Sequence, residues 1–351
     1  MKRYGNLYER VCSPANIAAA HAAASRGKAH YREVRMVNAN PARYLGEIRE
    51  QLTGKTFRTA PYSVMIKNEY GKERVTHKLP YFPDRIVHHA VVQVAGPIWD
   101  RTLIRDTYAC IKGRGIHDGA KRVKAALRDR EGTRYCLKMD ARKFYPSMDH
   151  DVIKAILRRK IKDHDLLWLL DEVVDSTPTP VGVPIGNYLS QFFGNLHLSG
   201  YDHWMKEAQG CRYYFRYCDD VVVLDGDKAR LHALRSATVA YWAEHLKLDV
   251  KDNWQVFPVD ARGIDFLGYR FFHGYTLLRK SIAIKFKRRM RTIKQRHETM
   301  PPVSITSAVA SYGGWMKHAN CRNLAARHLD HDITRICGQA RERLKQQAEA
   351  A

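Results

Sequence analysis

The sequence predicts an α+β fold in which an antiparallel sheet is backed by helices, and three observations carry that reading. The middle of the chain runs strand, helix, helix, hairpin, helix, hairpin, which is an α+β plan. Its clearest hairpin, "YYFRYCDDVVVL" at 213–224, joins an aromatic-rich run to a continuous apolar one through a tight turn. With 351 residues, 45% hydrophobic and 10% aromatic, the chain can bury a substantial core in two or three subdomains and is not largely disordered.

Residues 14–53 read as helical. "SPANIAAAHAAASRG" opens on a Ser-Pro start signal and stops near Gly27, and "NPARYLGEIREQLTG" stops at Gly54. "FRTAPYSVMIKNEYGKERVTHKLP" holds two β-rich runs, a hairpin with basic residues at its tip and on its return strand. Apolar residues at helical spacing in "PDRIVHHAVVQVAGPIWDRTLI" predict about four turns of helix. "TRYCLKMDARKFYPSMDH" begins as a short buried strand and ends in a turn at Pro146, and 150–175 is an amphipathic helical stretch. A proline- and glycine-rich loop from Thr177 then feeds a helix rich in Phe and Leu. After the 213–224 hairpin come a helix at 227–246 and a strand pair around "GIDFLGYRFFHGYTLLRKS"; from about Ile282 the chain is helical and basic.

Charge narrows the partner. Sixty Lys+Arg against 36 Asp+Glu leave +24, a field that attracts polyanions even after salt screening. Nucleic acid is the leading expectation, ahead of a basic ribosome-like or membrane-surface role. No apolar run reaches the ~18–20 residues of a membrane span, and the N-terminus lacks the apolar core of a signal peptide, so a cytoplasmic protein with no membrane partner is expected. Seven cysteines without a CxxC pair suit reduced thiols better than a disulfide framework or zinc site. His88 and His89 are adjacent, lack metal-ligand spacing, and read as structural or phosphate-facing.

The acidic residues supply the chemistry. Side chains of successive strand residues point to opposite faces, so Asp219 and Asp220 share a site only if the turn redirects one of them. Asp-Asp is also an ordinary turn pair. Asp140, ending the apolar strand "CLKM", is a second source of negative charge. Three carboxylates gathered by two adjacent strands repel one another unless cations sit among them. Magnesium suits such a sparse site because it takes few protein carboxylates and completes its shell with water and phosphate oxygens. Two Mg²⁺ ions there would serve nucleotidyl transfer.

"YCDD" at 217–220 resembles the YxDD box of reverse transcriptases, and "MDARKFYPSMDH" at 139–150 resembles their first catalytic strand. "DFLGYRF" at 265–271 is similar to their primer-grip hairpin, and the stretch from Pro83 to Val123 resembles the fingers of bacterial members. The resemblance covers about 70–280, with four motifs in order. It implies a right-hand polymerase with an N-terminal helical extension (1–54), fingers (55–135), palm (136–278) and a short basic helical thumb and tail (279–351). It implies that Asp140, Asp219 and Asp220 are the catalytic, metal-binding set, Asp140 and Asp219 most directly. Tyr145 falls where the family places an aromatic that excludes a ribose 2′-hydroxyl, with Phe144 beside it as the core residue. Lys72 and Arg74 match the basic pair that holds the incoming dNTP triphosphate, and Ala141 and Gln191 complete that nucleotide site. Phe266, Leu267, Gly268 and Tyr269 form the primer grip.

"VPIGNYLSQFF" departs from most of the family, which carries glutamine before this glycine and proline after the serine. Ile185, Gly186, Ser190 and Gln191 instead give IGxxxSQ, which resembles the enzymes of diversity-generating retroelements. That likeness implies error-prone, adenine-directed cDNA synthesis on a template-repeat RNA for mutagenic retrohoming, with a small basic helical accessory variability protein as an oligomeric partner. The alternatives are another bacterial reverse transcriptase, of phage-defence, retron-like or group II-like type, or a non-catalytic RNA-binding scaffold. Ile111 stands where members usually carry arginine, and "NWQV" lacks a lysine common before the primer grip; Lys112, Arg114 and Lys251 are the candidate substitutes. In 279–297 there are nine Lys/Arg and no acid. Lys285, Lys287, Arg288, Arg289 and Arg291 are expected there to follow the phosphates of template RNA and RNA/cDNA heteroduplex.

Overall fold

The structure is a computed structural model that describes residues 2–69 and 72–349, apart from the side chains of 67, 69, 72 and 74. Among the described residues the strands form three sheets where the sequence suggested one. β1 (Ser63–Glu69) pairs antiparallel with β2 (Lys72–Lys78). β3 (Tyr135–Met139), β4 (Tyr213–Tyr217), β5 (Asp220–Asp225) and β6 (Gln255–Pro258) form a four-stranded sheet in the order β4-β5-β3-β6. β7 (Ile264–Phe266), β8 (Tyr269–Phe271) and β9 (Thr276–Leu278) form an antiparallel meander. The expected strand pair therefore gains a third member. In β9, Thr276 and Leu278 are buried and Leu277 is exposed, an alternation too short to register in the sequence. Val221–Leu224 of β5 are all buried, which explains an unbroken apolar run on a strand with neighbours on either side.

Local signals set the helix starts. Ser13 accepts from Asn16 N at 3.3 Å and caps the helix Pro14–Ser25, and Asn40 accepts from Arg43 N at 3.2 Å and caps Pro41–Thr53. Each places its proline in the first turn, where the missing N–H costs nothing. The fingers-like stretch gives the helix Ile86–Asp100, and 150–175 resolves into His150–Arg158 and His164–Val174. Asp163 caps the last of these through Leu166 N at 3.0 Å and also accepts from Leu7 N (2.5 Å) and Tyr8 N (2.9 Å), tying the N-terminal segment down.

The chain divides into two compact units, each made of separated stretches. The first comprises Met1–Ile111, Met139–Arg212 and Leu234–Trp254; the second comprises Lys112–Lys138, Tyr213–Ala233 and Gln255–Ala351. In the second unit the basic helix Lys280–Arg296 packs one stripe, Phe286, Met290 and Ile293, against Ile305, Ile333, Ile336 and Ala340 from later helices. The i, i+4, i+7 spacing of that stripe leaves the remaining faces to charge. No helix among the described residues is long and apolar enough to cross a membrane.

Candidate active site

The second unit carries the paired aspartates. Tyr217 and Asp220 face each other in the β4–β5 ladder, so the connection is the two-residue loop Cys218-Asp219, with Cys218 at φ 57°. Asp219 thus sits in the loop and Asp220 opens β5, and the turn separates the two carboxylates from simple strand alternation. Beneath the loop, Arg216 is fully buried and donates from Nη1 to the Cys218 carbonyl at 2.7 Å. A hydrogen bond to a charged donor in a low-dielectric setting is among the stronger ones, and it holds the turn from within the sheet. β3 lies next to β5. From β3, Lys138 brings its ammonium to 3.4 Å from Asp220 Oδ2 and also donates to the Asp265 carbonyl. Nearby Cys136 is fully buried, and that burial pushes its thiol well above the usual range.

The first unit holds Asp140 and the loop that follows the second helical stretch. Asp140 through Arg142 lie against Asp249–Lys251: Lys251 N donates to Asp140 O at 2.8 Å, Arg142 N to Asp249 O at 2.9 Å, and Ala141 bridges Val250. Ala141 is buried. Lys251, proposed on sequence as a substitute for the absent lysine, stands 3.7 Å from Asp140 Oδ2.

Tyr145 begins a single 3-10 turn, Tyr145–Ser147, and is half-buried, whereas Phe144 is buried with its ring 5.2 Å from that of Tyr145. Below Phe144 the His197 imidazole packs edge-on at 6.3 Å, pushed down to about 4 by burial and so neutral. The Ile185 loop is pinned to β2. His77 N donates to Ile185 O at 2.9 Å, and Gly186, at φ 118°, comes so close that a Cβ would stand 2.5 Å from His77 O. Asn187 donates to Tyr62 Oη at 2.9 Å, and Tyr62 Oη meets Ser176 Oγ at 2.6 Å. Ser190 is buried and Gln191 exposed on the helix Tyr188–His197. The side chains of Lys72 and Arg74 lie outside the described residues.

Phe266, Leu267, Gly268 and Tyr269, the expected primer grip, lie at the β7–β8 turn. Leu267 and Gly268 both have positive φ, 54° and 81°, as a two-residue hairpin loop matching strand twist requires. Phe266 and Tyr269 are fully buried, so their side chains hold the turn from below. Tyr269 Oη donates to Trp315 O (3.1 Å) and lies 3.0 Å from His117 Nδ1. On the basic helix, Lys285, Lys287, Arg288 and Arg291 are exposed, but Arg289 donates to Ser304 Oγ at 2.6 Å and to its carbonyl. Arg289 thereby braces the next helix.

Among the described residues no three His, Cys, Asp or Glu side chains converge as a ready-made metal cluster. A magnesium site of the kind expected here needs only one or two carboxylates plus substrate oxygens, and the donors are of the right hard-oxygen type. Asp140 and Asp220 are partly exposed and each faces an ammonium across a gap longer than a hydrogen bond. A doubly charged ion competes with such an amine by a factor of about two in raw Coulomb terms, so each carboxylate, taken by itself, is chemically suited to such an ion. No motif in the sequence points to Lys138 or Arg216. Both are charged residues inside apolar strands, which was the available signal.

A sequence profile of the reverse transcriptase (RNA-dependent DNA polymerase) family matches residues 66–271. Protein YkfC of Escherichia coli (strain K12) is 25% identical over 315 residues, covering 78% of this chain and 81% of that protein. Apo telomerase from Candida tropicalis aligns with a TM-score of 0.46 at 11% identity over 68% of this chain and 52% of its own. Its form truncated from the C-terminal domain gives 0.46 and 12% over 66% and 58%. The chain thus spans little more than half the length of these solved structures.

Proposed function

Because the chain belongs to the reverse transcriptase family, we propose that it is an error-prone RNA-directed DNA polymerase of the diversity-generating type, copying a template-repeat RNA with errors concentrated at adenines. Asp140, Asp219 and Asp220 hold two Mg²⁺ ions in this reading. The chemistry that bound magnesium supplies is activation of the primer 3′-hydroxyl and neutralisation of the departing pyrophosphate. Lys138 and Lys251 keep Asp220 and Asp140 compensated between turnovers. Tyr145 closes the sugar pocket against a 2′-hydroxyl, Lys72 and Arg74 hold the triphosphate, and Ala141 and Gln191 line the nucleotide site. The β7–β8 turn steadies the primer, with 55–135 as fingers, 136–278 as palm and 279–351 as thumb. An oligomeric basic accessory protein works beside the template RNA.

The observation that carries the finer reading is the pinned loop. Its backbone is fixed by the His77–Ile185 hydrogen bond, so an apolar side chain replaces an amide at one position without loosening the segment. An amide contact worth about 1 kcal/mol shifts selectivity roughly fivefold. The test is cDNA synthesis by the purified protein with its cognate RNA, accessory protein and Mg²⁺, followed by sequencing of the products. Errors should cluster at template adenines and fall several-fold in Ile185→Gln, and Asp219→Asn should lower synthesis by about two to three orders of magnitude. Errors spread over all four bases would assign the enzyme to another bacterial class, and absence of cDNA from the wild type would leave an RNA-binding scaffold.

A further inference from the structure

The helix Tyr188–His197 begins without the cap that its sequence offers. Ser13, Asn40 and Asp163 each turn a side-chain oxygen onto an N–H in the first turn of the helix they precede. Asn187 stands at the same position of its own helix and makes no such bond, although asparagine is among the best residues there. Its side chain is buried, and Oδ1, the atom that would cap, has no partner among the described residues. A buried acceptor left in that state costs stability. The amide nitrogen of Asn187 is committed elsewhere.

That nitrogen starts a directed chain of hydrogen bonds. Ser176 donates its one hydroxyl proton to Val173 O at 2.7 Å, so in the 2.6 Å contact between Ser176 Oγ and Tyr62 Oη the tyrosine is the donor. With its own proton committed, Tyr62 Oη receives Asn187 Nδ2–H at 2.9 Å. Asn187 is thus tied through Tyr62 to the end of the helix His164–Val174. Tyr62 immediately precedes β1, and its ring stands edge-on to His77 at 5.8 Å. His77 faces Val64 in the β1–β2 ladder and donates its N–H to Ile185 O. The base of the hairpin therefore grips the loop on both sides of Gly186, by backbone at Ile185 and by side chain at Asn187. At the other end of the loop, Gly182 N donates to Met148 O at 2.8 Å and Val183 N to Tyr145 O at 2.9 Å.

The half-buried Ile185 side chain takes its direction from this clamped backbone. A rigid wall that lacks one polar contact loses discrimination only against the base pair which that contact would test, whereas a loose wall loses it against all of them. We propose that Tyr62 is a positioning residue for selectivity, holding the Ile185 loop through Asn187 so that misinsertion stays confined to template adenines. The inference rests on the reading of this loop as the fidelity element of a reverse transcriptase.

The experiment compares the full chain with Tyr62→Phe, Ser176→Ala and Ser63→Ala. Ser63 Oγ donates to Lys78 O at 3.1 Å, so its removal takes one hydrogen bond from the same hairpin base and leaves the latch whole. Single-nucleotide insertion on RNA templates, with kcat and KM measured for right and wrong nucleotides, gives a misinsertion ratio opposite each template base. Tyr62→Phe should raise that ratio opposite guanine, cytosine and uracil roughly fivefold, the factor one hydrogen bond carries, and opposite adenine by less than about twofold. The rise should lie in the KM of the wrong nucleotide, with kcat for the right one unchanged. Ser176→Ala, which removes only the acceptor of the tyrosine hydroxyl, should shift the ratios the same way by about half as much. Hydrogen–deuterium exchange reads the latch without any activity: peptides covering 183–188 should exchange faster in Tyr62→Phe and not in Ser63→Ala. Ratios unchanged at every base, an equal change in Ser63→Ala, or unaltered exchange overturns the proposal. Wild-type errors spread evenly over the template bases would count against the adenine-directed reading alone, and the latch would then show as a rise at all four in Tyr62→Phe.

Discussion

A methyl group on Gly194 would come within 3.2 Å of Tyr145 Cε1 and Oη and 3.3 Å of Phe144 Cε1, closer than carbon atoms pack comfortably. The helix Tyr188–His197 thus offers Tyr145 a flat bed only because this residue has no side chain. Gly194→Ala is expected to tilt the Tyr145 ring and raise ribonucleotide relative to deoxynucleotide insertion, towards the roughly tenfold rise, ~1.4 kcal/mol, expected of Tyr145→Ala. Competition between rGTP and dGTP in single-nucleotide extension measures both; a shift in Tyr145→Ala alone would show that the bed does not position the gate. At this scale the burial of Phe144 beside a half-buried Tyr145 was legible, since one ring is wholly apolar and the other carries a hydroxyl that resists full burial. Gly194 was not legible, because its partner lies 49 residues away in sequence and no local pattern links them.

Asp163 does the work of two caps. Burial alone would raise its carboxyl, but the N–H groups of Leu166, Tyr8 and Leu7 outweigh that and hold it below the usual carboxylate range. A depressed carboxylate contributes stability that is present above its unfolded pKa near 3.9 and is lost as pH falls through the folded value. Asp163→Ala should therefore cost about 1–2 kcal/mol at neutral pH, read by urea denaturation, with the gap from wild type closing on acidification below about pH 4. A gap that persists at acid pH would mean that the charge is irrelevant and shape alone matters. Helix starts such as Ser13-Pro14 and Asn40-Pro41 were legible because a cap and its helix are neighbours in the chain. The second role of Asp163, at Leu7 and Tyr8, joins segments some 155 residues apart and left no mark in the sequence. The split of the strands into three sheets was hidden for the same reason, since pairing partners such as β3 and β6 are set by tertiary contact.

At the scale of the whole molecule the +24 charge announced a polyanion partner, and the basic helix shows how part of it is deployed. Replacing Lys287, Arg288 and Arg291 by serine should lower the slope of log affinity against log salt for an RNA–DNA duplex by roughly 2–3, each lost phosphate contact removing close to one unit. Arg289→Ser should instead loosen the helix's hold on Ser304 and register in thermal unfolding, with little change in that slope. Equal slopes in the triple variant and wild type would remove this face from the duplex path. The charge and its location were readable from composition, whereas the order of assembly was not. Each compact unit is stitched from three separated stretches. A nascent first unit must therefore wait, unfinished, until Trp254 has been synthesised, on the order of ten seconds after Ile111 at roughly 5–20 residues per second. During that interval the apolar faces awaiting Leu234–Trp254 are open to chaperones or to aggregation, and a gene cut anywhere between Lys112 and Trp254 leaves neither unit intact.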